Sequence, residues 1–260
     1  TRTEAGIFMR HAPAMAEVVG TGRTLVDLGA GNCAKAGRLF AVLKPSRYVA
    51  VDISVHFLEQ ALQGLQREHP GVDMLGVGMD FSSRLVLPAD VGEGPRTVFY
   101  PGSSIGNFTP AQALAFLRQA RNECGDGSLL VGVDLVKPDV LLVPAYDDEL
   151  GVTSAFNLNL LNHVNALLGT DFRVREWRHV ALFNATESRI EMHLEARAAL
   201  TVSWPGGERR FAKGERLHTE NSYKYHQRDF EALLRQAGFA DVQSWTDNRQ
   251  WFAVCAARAS

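Results

Sequence analysis

The stretch that most constrains this 260-residue chain runs over residues 25–35, Leu25-Val26-Asp27-Leu28-Gly29-Ala30-Gly31-Asn32-Cys33-Ala34-Lys35. An apolar run enters a turn carrying Gly29 and Gly31, and a helix-compatible segment follows over residues 34–43, so the spacing predicts strand, glycine turn, helix. Glycines let the backbone come close to a ligand, and a helix start adds unpaired N–H groups, so a turn of this kind suits a nucleotide-like molecule. Without a ligand it is simply a tight turn.

Two cofactors compete for it. Gly29, Gly31 and Ala34 satisfy the dinucleotide fingerprint G-x-G-x-x-G/A, and Asp52 lies about twenty residues on, where an acid binds a ribose hydroxyl. Against a dinucleotide stands Asp27, a carboxylate at the strand end where a pyrophosphate would bring more negative charge. S-adenosylmethionine has no phosphate and carries a cationic sulfonium and an ammonium, which an acid at Asp27 attracts.

Further acids follow the same rhythm. A strand over residues 47–52 ends in Asp52, whose carboxylate can accept from two ribose hydroxyls or cap the helix predicted over 55–67. Another short strand leads to Asp80-Phe81, suited to an adenine amino group and its ring, and otherwise a surface loop. In an open α/β sheet, ligands lie beyond the carboxyl ends of the strands, so Asp27, Asp52 and Asp80 are expected to converge on one crevice. A fourth strand over 97–100 precedes Pro101-Gly102-Ser103-Ser104-Ile105-Gly106-Asn107, a polar floor that a substrate can approach closely. Thr109-Pro110 then starts a helix, and residues 129–135 form a Val-rich buried strand.

From Lys137 the alternation of strand and helix breaks. Residues 140–168 are predicted helical and 177–183 and 191–202 extended, an inserted α+β unit. A helix over 227–237 and strands over 242–245 and 252–257 restore the first pattern. The insert carries Tyr146-Asp147-Asp148 and the pair Glu220 and Ser222, which share one side of an extended segment. That side either faces a ligand or is a solvated strand edge.

A net charge of −2 leaves no basic excess for nucleic acid, and no apolar run spans a bilayer. Cys33, Cys124 and Cys255 are few and widely spaced, which argues against a disulfide framework and for a reducing, cytoplasmic location. The eight histidines show no metal-site spacing, so no metal is expected. The opening Thr-Arg-Thr-Glu has neither an initiator Met nor a signal-peptide pattern, so the sequence reads as processed, trimmed or incomplete at its start.

With these residues laid out, the whole chain resembles the histidine-specific N-alpha-methyltransferases of ergothioneine biosynthesis, which convert L-histidine to hercynine. The resemblance rests on the opening Thr-Arg-Thr-Glu, Asp27 to Gly31 with Lys35, Gly102 to Asn107, Asp134-Leu135-Val136-Lys137, Ala145 to Asp148, Arg189 to Met192, Thr219 to Ser222 and Trp245-Thr246-Asp247. It implies a Rossmann-like class I methyltransferase domain over 1–136 and 225–260, with an inserted substrate-binding domain over 137–224. It further implies that Gly29, Lys35, Asp52, Asp80 and Phe81 bind S-adenosylmethionine. Gly102, Asn107 and Tyr146 would hold the amino and carboxylate groups of histidine, Glu220 and Ser222 would read its imidazole, and Met192 would shape the pocket or pack in the core. The expected partner is one small molecule, L-histidine, on a monomeric enzyme. Two departures stand out: the family places tyrosines upstream of the Thr-Arg-Thr-Glu stretch, one of which closes the histidine site, and the glycine turn here lacks the family's small hydroxyl residues. An N-methyltransferase for another amino acid or an indole, a nicotinamide-dependent dehydrogenase and a non-catalytic nucleotide-binding scaffold are the alternatives.

Overall fold

The computed structural model describes residues 2–259. The chain divides into two compact units, Thr1–Leu135 with Tyr225–Ser260, and Val136–Lys224. In chain order the first unit begins with α1 (Arg2–Val19), β1 (Thr24–Leu28), the one-turn helices α2 (Ala34–Gly37) and α3 (Phe40–Leu43), β2 (Arg47–Asp52), α4 (Val55–Glu68) and β3 (Asp73–Gly78). It continues through β4 (Arg96–Tyr100), α5 (Pro110–Cys124) and β5 (Ser128–Asp134). The second unit holds α6 (Asp139–Leu142), α7 (Val152–Leu168), β6 (Trp177–Asn184), β7 (Arg189–Ala196), β8 (Leu200–Trp204), β9 (Gly207–Phe211) and β10 (Arg216–Tyr223). The chain then returns to the first unit with α8 (Gln227–Gln236), β11 (Phe239–Thr246) and β12 (Phe252–Ala259).

The first unit is built on a seven-stranded sheet in the order β11-β12-β5-β4-β1-β2-β3. The strands β1 to β5 are mutually parallel, and β12 and β11 close one side antiparallel. The chain runs outward from β1 to β3 and then restarts at β4 on the other side of β1, so the strand order reverses between β1 and β4. Beyond the carboxyl ends of those two strands stand the glycine turn and the Gly102 loop, the crevice where open α/β sheets take ligands. Alternation along the strands loads both faces. Val26 and Leu28 with Val98, Val131, Phe116 and Phe230 form one core, and Leu25 with Ile7, Met15, Tyr48 and Phe99 forms the other.

The helix expected over 34–43 is broken into two single turns. Gly37 packs so closely on α4 that a Cβ there would lie 2.8 Å from Leu65 Cδ1, and Leu39 bonds back to Ala36 rather than continuing an α-helical ladder. Thr109 does cap α5 as expected, in a reciprocal capping box with Gln112.

In the second unit β10-β7-β6 form an antiparallel sheet and β8-β9 a separate hairpin. The strand expected over 191–202 is two strands, because the Arg197 N–H and guanidinium reach the Glu176 and Trp177 carbonyls and turn the chain after Ala196. The helix expected over 140–168 is likewise interrupted at Tyr146–Leu150; Asp148 caps α7 through the Val152 and Thr153 N–H groups, and those bonds lower its pKa to about 2. No helix among the described residues is long and apolar enough to cross a membrane.

Candidate functional site

In the glycine turn, the Gly29 and Ala30 N–H groups both bond to the Val51 carbonyl, and the Gly31 N–H donates to Asp52 Oδ2 at 3.0 Å. Asp52 Oδ1 accepts from the Ser54 N–H at 3.0 Å, so the acid braces the turn and the start of α4 at once. Each carboxylate oxygen keeps a further lone pair. Gly29 is left-handed at φ +73°, and a Cβ there would touch the Phe81 ring at 3.8 Å, which brings Phe81 against the turn. Phe81 packs edge-on to Tyr100, and Asp80 is exposed beside it with its pKa lowered by the Ser82 hydroxyl and N–H. Because α2 is a single turn, it offers no helix start of the kind that holds a pyrophosphate, and the balance moves from a dinucleotide toward a phosphate-free cofactor.

Asp27 lies on the α1 face of β1 with Leu25 and is 1% exposed. The Tyr48 hydroxyl donates to its Oδ2 at 2.8 Å, and its Oδ1 has no hydrogen-bond partner among the described residues. Burial pushes its pKa to about 7, against the opposing Tyr48 hydrogen bond and the Lys35 charge, with the Asp52 charge adding to the rise.

No individual role is expected for Glu4 from its sequence position, yet this side chain joins two of the expected site residues. It is 1% exposed; its Oε2 pairs with Lys35 Nζ at 2.8 Å and its Oε1 accepts from the Gly102 N–H at 2.6 Å. Gly102 stands at the left-handed φ of +85°, which favours glycine, and a Cβ on it would lie 2.8 Å from Lys35 Nζ and displace the ammonium. The Ser103 hydroxyl accepts from the Asp134 N–H, and Asn107 ends the following 3-10 turn with its side chain exposed. The signal for Glu4 was present in the Thr-Arg-Thr-Glu motif, but no spacing rule connects residue 4 to residue 102. An apolar groove of about 550 Å³ between α1 and α2–α3 opens beside the Glu4–Lys35 pair.

In the second unit, Tyr146 Oη and Ser222 Oγ are 2.8 Å apart, and Lys224 Nζ donates to both at 2.8 Å. Lys224 is 3% exposed and also stands over the Tyr146 ring at 4.7 Å. An ammonium only donates, so of the two hydroxyl protons one is used between Tyr146 and Ser222 and the other is left to point at an acceptor. The backbone of Tyr146 is fixed by His179, whose Nε2–H bonds to its carbonyl at 2.7 Å while Nδ1 accepts from Asn157. Met192 is buried with Leu142 and Ile190, opposite Glu220 in the strand register. A register shift between His218 and Glu220 turns Glu220 and Ser222 toward the Met192 face. Glu220 is half-buried there; burial raises its pKa and the Lys224 charge opposes the rise. The pair sits on an edge strand, but Ser222 is 6% exposed and is not a solvated edge residue. Lys224 was missed although it stands two residues beyond Ser222, the spacing that puts it on the same side of an extended segment.

The family model described as "Histidine-specific methyltransferase, SAM-dependent" matches residues 1–259. The chain is 39% identical over 254 residues to "Histidine N-alpha-methyltransferase" of Mycolicibacterium smegmatis, covering 95% of this chain and 78% of that protein. It is 30% identical over 259 residues to "Ergothioneine biosynthesis protein 1" of Neurospora crassa, covering 96% of this chain and 29% of that much longer protein. Among solved structures, the CcbJ methyltransferase from Streptomyces caelestis superposes with a TM-score of 0.55 at 17% identity, over 98% of this chain and 96% of that one.

Two outcomes follow from the buried acids. For Asp27 the folded pKa of about 7 lies above the ordinary 3.8, so its contribution to stability is full below pH 3.8 and is lost as pH rises through 7. At about 1.4 kcal/mol per pKa unit the loss is on the order of 4 kcal/mol. Asp27→Asn removes this dependence, and urea unfolding at a series of pH values should show the variant gaining on the wild type between pH 5 and 8, with each variant's other titrations cancelling in the difference. Glu4→Ala leaves the Gly102 N–H and Lys35 without their carboxylate and should cost about 1–3 kcal/mol. Glu4→Gln should recover part of that loss, because an amide oxygen still accepts from Gly102.

Proposed function

Because the chain belongs to the S-adenosylmethionine-dependent, histidine-specific methyltransferase family, we propose that it methylates the α-amino nitrogen of L-histidine three times to give hercynine, the first step of ergothioneine biosynthesis. The observation that carries the substrate assignment is the inward-turned Glu220 and Ser222 pair with Tyr146 and Lys224 behind it. Neutral imidazole has one N–H and one lone pair. The Glu220 carboxylate accepts the first, and the hydroxyl proton left over beside Lys224 serves the second. A phenyl or indole ring lacks that acceptor nitrogen.

The turn of the first unit fits S-adenosylmethionine. Gly29 leaves a cradle that a Cβ would narrow against Phe81, and Asp27 has a buried carboxylate oxygen with no partner to neutralise it. In this reading Asp52 holds the ribose hydroxyls, Asp80 and Phe81 the adenine, Lys35 the methionine carboxylate, and Gly29 and Gly31 the close approach. Asp27 supplies negative charge behind the turn. When bound, the cofactor supplies an activated methyl on a sulfonium.

The remaining work belongs to the chain. Gly102, Asn107 and Tyr146 hold the amino and carboxylate groups, with the Asn107 amide oxygen accepting an amine N–H and its NH₂ free to donate to the carboxylate. No strong base is needed, because an α-amine loses its proton near or above neutral pH and a neighbouring cation favours the neutral form. Each transfer releases one proton to solvent. Orientation of amine and methyl is the main source of rate, worth roughly 7–11 kcal/mol in well-aligned systems.

Mass spectrometry of L-histidine incubated with the chain and S-adenosylmethionine should show products carrying one, two and three methyl groups on the α-nitrogen; no methylated histidine would reject the proposal. Glu220→Ala leaves an imidazole N–H unpaired, which costs about 1–3 kcal/mol. Its kcat/KM for histidine should fall roughly 5- to 150-fold against the wild type. The preference for histidine over phenylalanine should shrink by the same factor, and an unchanged preference would remove Glu220 from imidazole recognition.

A further inference from the structure

Strand pairing brings together a second cluster that sequence spacing does not reveal. On β7 the residues Arg189, Glu191, His193 and Glu195 share the face opposite Ile190, Met192 and Leu194, and β10 pairs His218 directly with His193. One ligand atom from each of Glu191, His193 and His218 lies within 4.8 Å of the others. This is a residue, its second neighbour on one strand and a cross-strand partner, three side chains held on one surface by backbone register.

The hydrogen bonds assign the tautomers. Nε2 of His193 is 3.1 Å from Glu191 Oε2 and Nε2 of His218 is 3.1 Å from the Glu220 carbonyl. Both partners are acceptors, so both Nε2 atoms carry the proton and both Nδ1 atoms carry a lone pair. Nδ1 of His193 is buried with no partner among the described residues, in a residue 8% exposed. An N–H held by a carboxylate or a backbone carbonyl, with a free lone pair on the other ring nitrogen, is how metal-binding imidazoles are prepared. Glu191 is itself held by Asn184 and Arg189 through its other oxygen. The two rings overlap at a centroid distance of 4.6 Å, and His218 is exposed, so rotation of its side chain opens the path to His193 and lets the rings fan around an ion.

We propose that His193 and His218, with Glu191 behind them, bind one borderline divalent transition-metal ion on the sheet face opposite Glu220 and Ser222. Two imidazole nitrogens suit Cu²⁺, Ni²⁺ or Zn²⁺ and not Mg²⁺ or Ca²⁺, while Glu191 acts by holding the His193 Nε2–H. Cys33, Cys124 and Cys255 are all buried and do not compete as thiolate ligands.

The test is a titration of the untagged full chain with Zn²⁺ by calorimetry and with Cu²⁺ by electron paramagnetic resonance. One ion should bind per chain, and the Cu²⁺ spectrum should carry hyperfine splitting from two imidazole nitrogens. His218→Ala removes an exposed ring, so its metal-free melting temperature should match the wild type while affinity falls at least about tenfold and one nitrogen disappears from the spectrum. Absence of saturable one-to-one binding in the wild type overturns the proposal. So does a wild-type spectrum without two imidazole nitrogens, or binding that His218→Ala leaves unchanged.

Discussion

Parallel pairing on both sides of β1 is the constraint that orders the first unit. A parallel neighbour cannot be reached by a hairpin, so each strand must be followed by a crossover, and a central strand can be flanked on both sides only if the chain reverses its direction of growth. Here the reversal falls between β3 and β4. Two loops that no crossover covers therefore stand side by side, and both have the backbone freedom a ligand needs, at Gly29 and at Gly102. The parallel register also decides which side of the sheet each acid enters. Asp27 takes the α1 face because Leu25 does, which buries it against Tyr48, whereas Asp52 comes one residue past the apolar part of β2 and stays within reach of the turn.

Three buried ionisable groups are accommodated in different ways. Glu4 is compensated fully, one oxygen by an ammonium and the other by a backbone N–H. Lys224 donates to two hydroxyls and stands over a ring face, and its charge also acts on the Glu220 carboxyl. Asp27 is compensated only in part and answers by moving its pKa. A buried charge without a full complement is costly to the unliganded protein, and that cost falls when a ligand of opposite sign arrives. The incomplete acid in the first unit matches the charge type of the proposed cofactor, a sulfonium with an ammonium.

Much of this was legible in the sequence where the signal was local. The glycine turn, the acids at the strand ends and the Thr109 cap are all stated by residues within a few positions of one another, and the elements form where periodicity places them. The break at Tyr146 goes with a local cap, Asp148 on the Val152 and Thr153 N–H groups, whereas those at Gly37 and Arg197 were not legible, because they involve distant partners, the Leu65 side chain and the Glu176 and Trp177 carbonyls. The same limit hid Glu4 and Lys224. Their importance lies in what they touch across the fold: the Thr-Arg-Thr-Glu motif and the position two residues beyond Ser222 mark the two side chains, but neither mark names the partner. Glu220 and Ser222 were legible as a pair facing one way, but which way depends on a single irregularity in β10.

That irregularity gives β10 a change of parity. Before it, Arg216 and His218 stand on the charged face of the sheet and Leu217 on the apolar one; after it, Glu220 and Ser222 stand on the Met192 face and Asn221 and Tyr223 on the charged one. One unpaired residue, Thr219, therefore lets eight residues of strand serve two surfaces that do not share a side chain, while its own hydroxyl reaches back to the Met192 carbonyl. Removing Thr219 would join the two halves into one regular ladder, with His218 still opposite His193 and Glu220 still opposite Met192, so the extra residue shifts the sequence parity of the faces without mixing them. Substitutions before Thr219 at even positions and after it at odd positions can thus be varied as one set, separate from those that shape the pocket side.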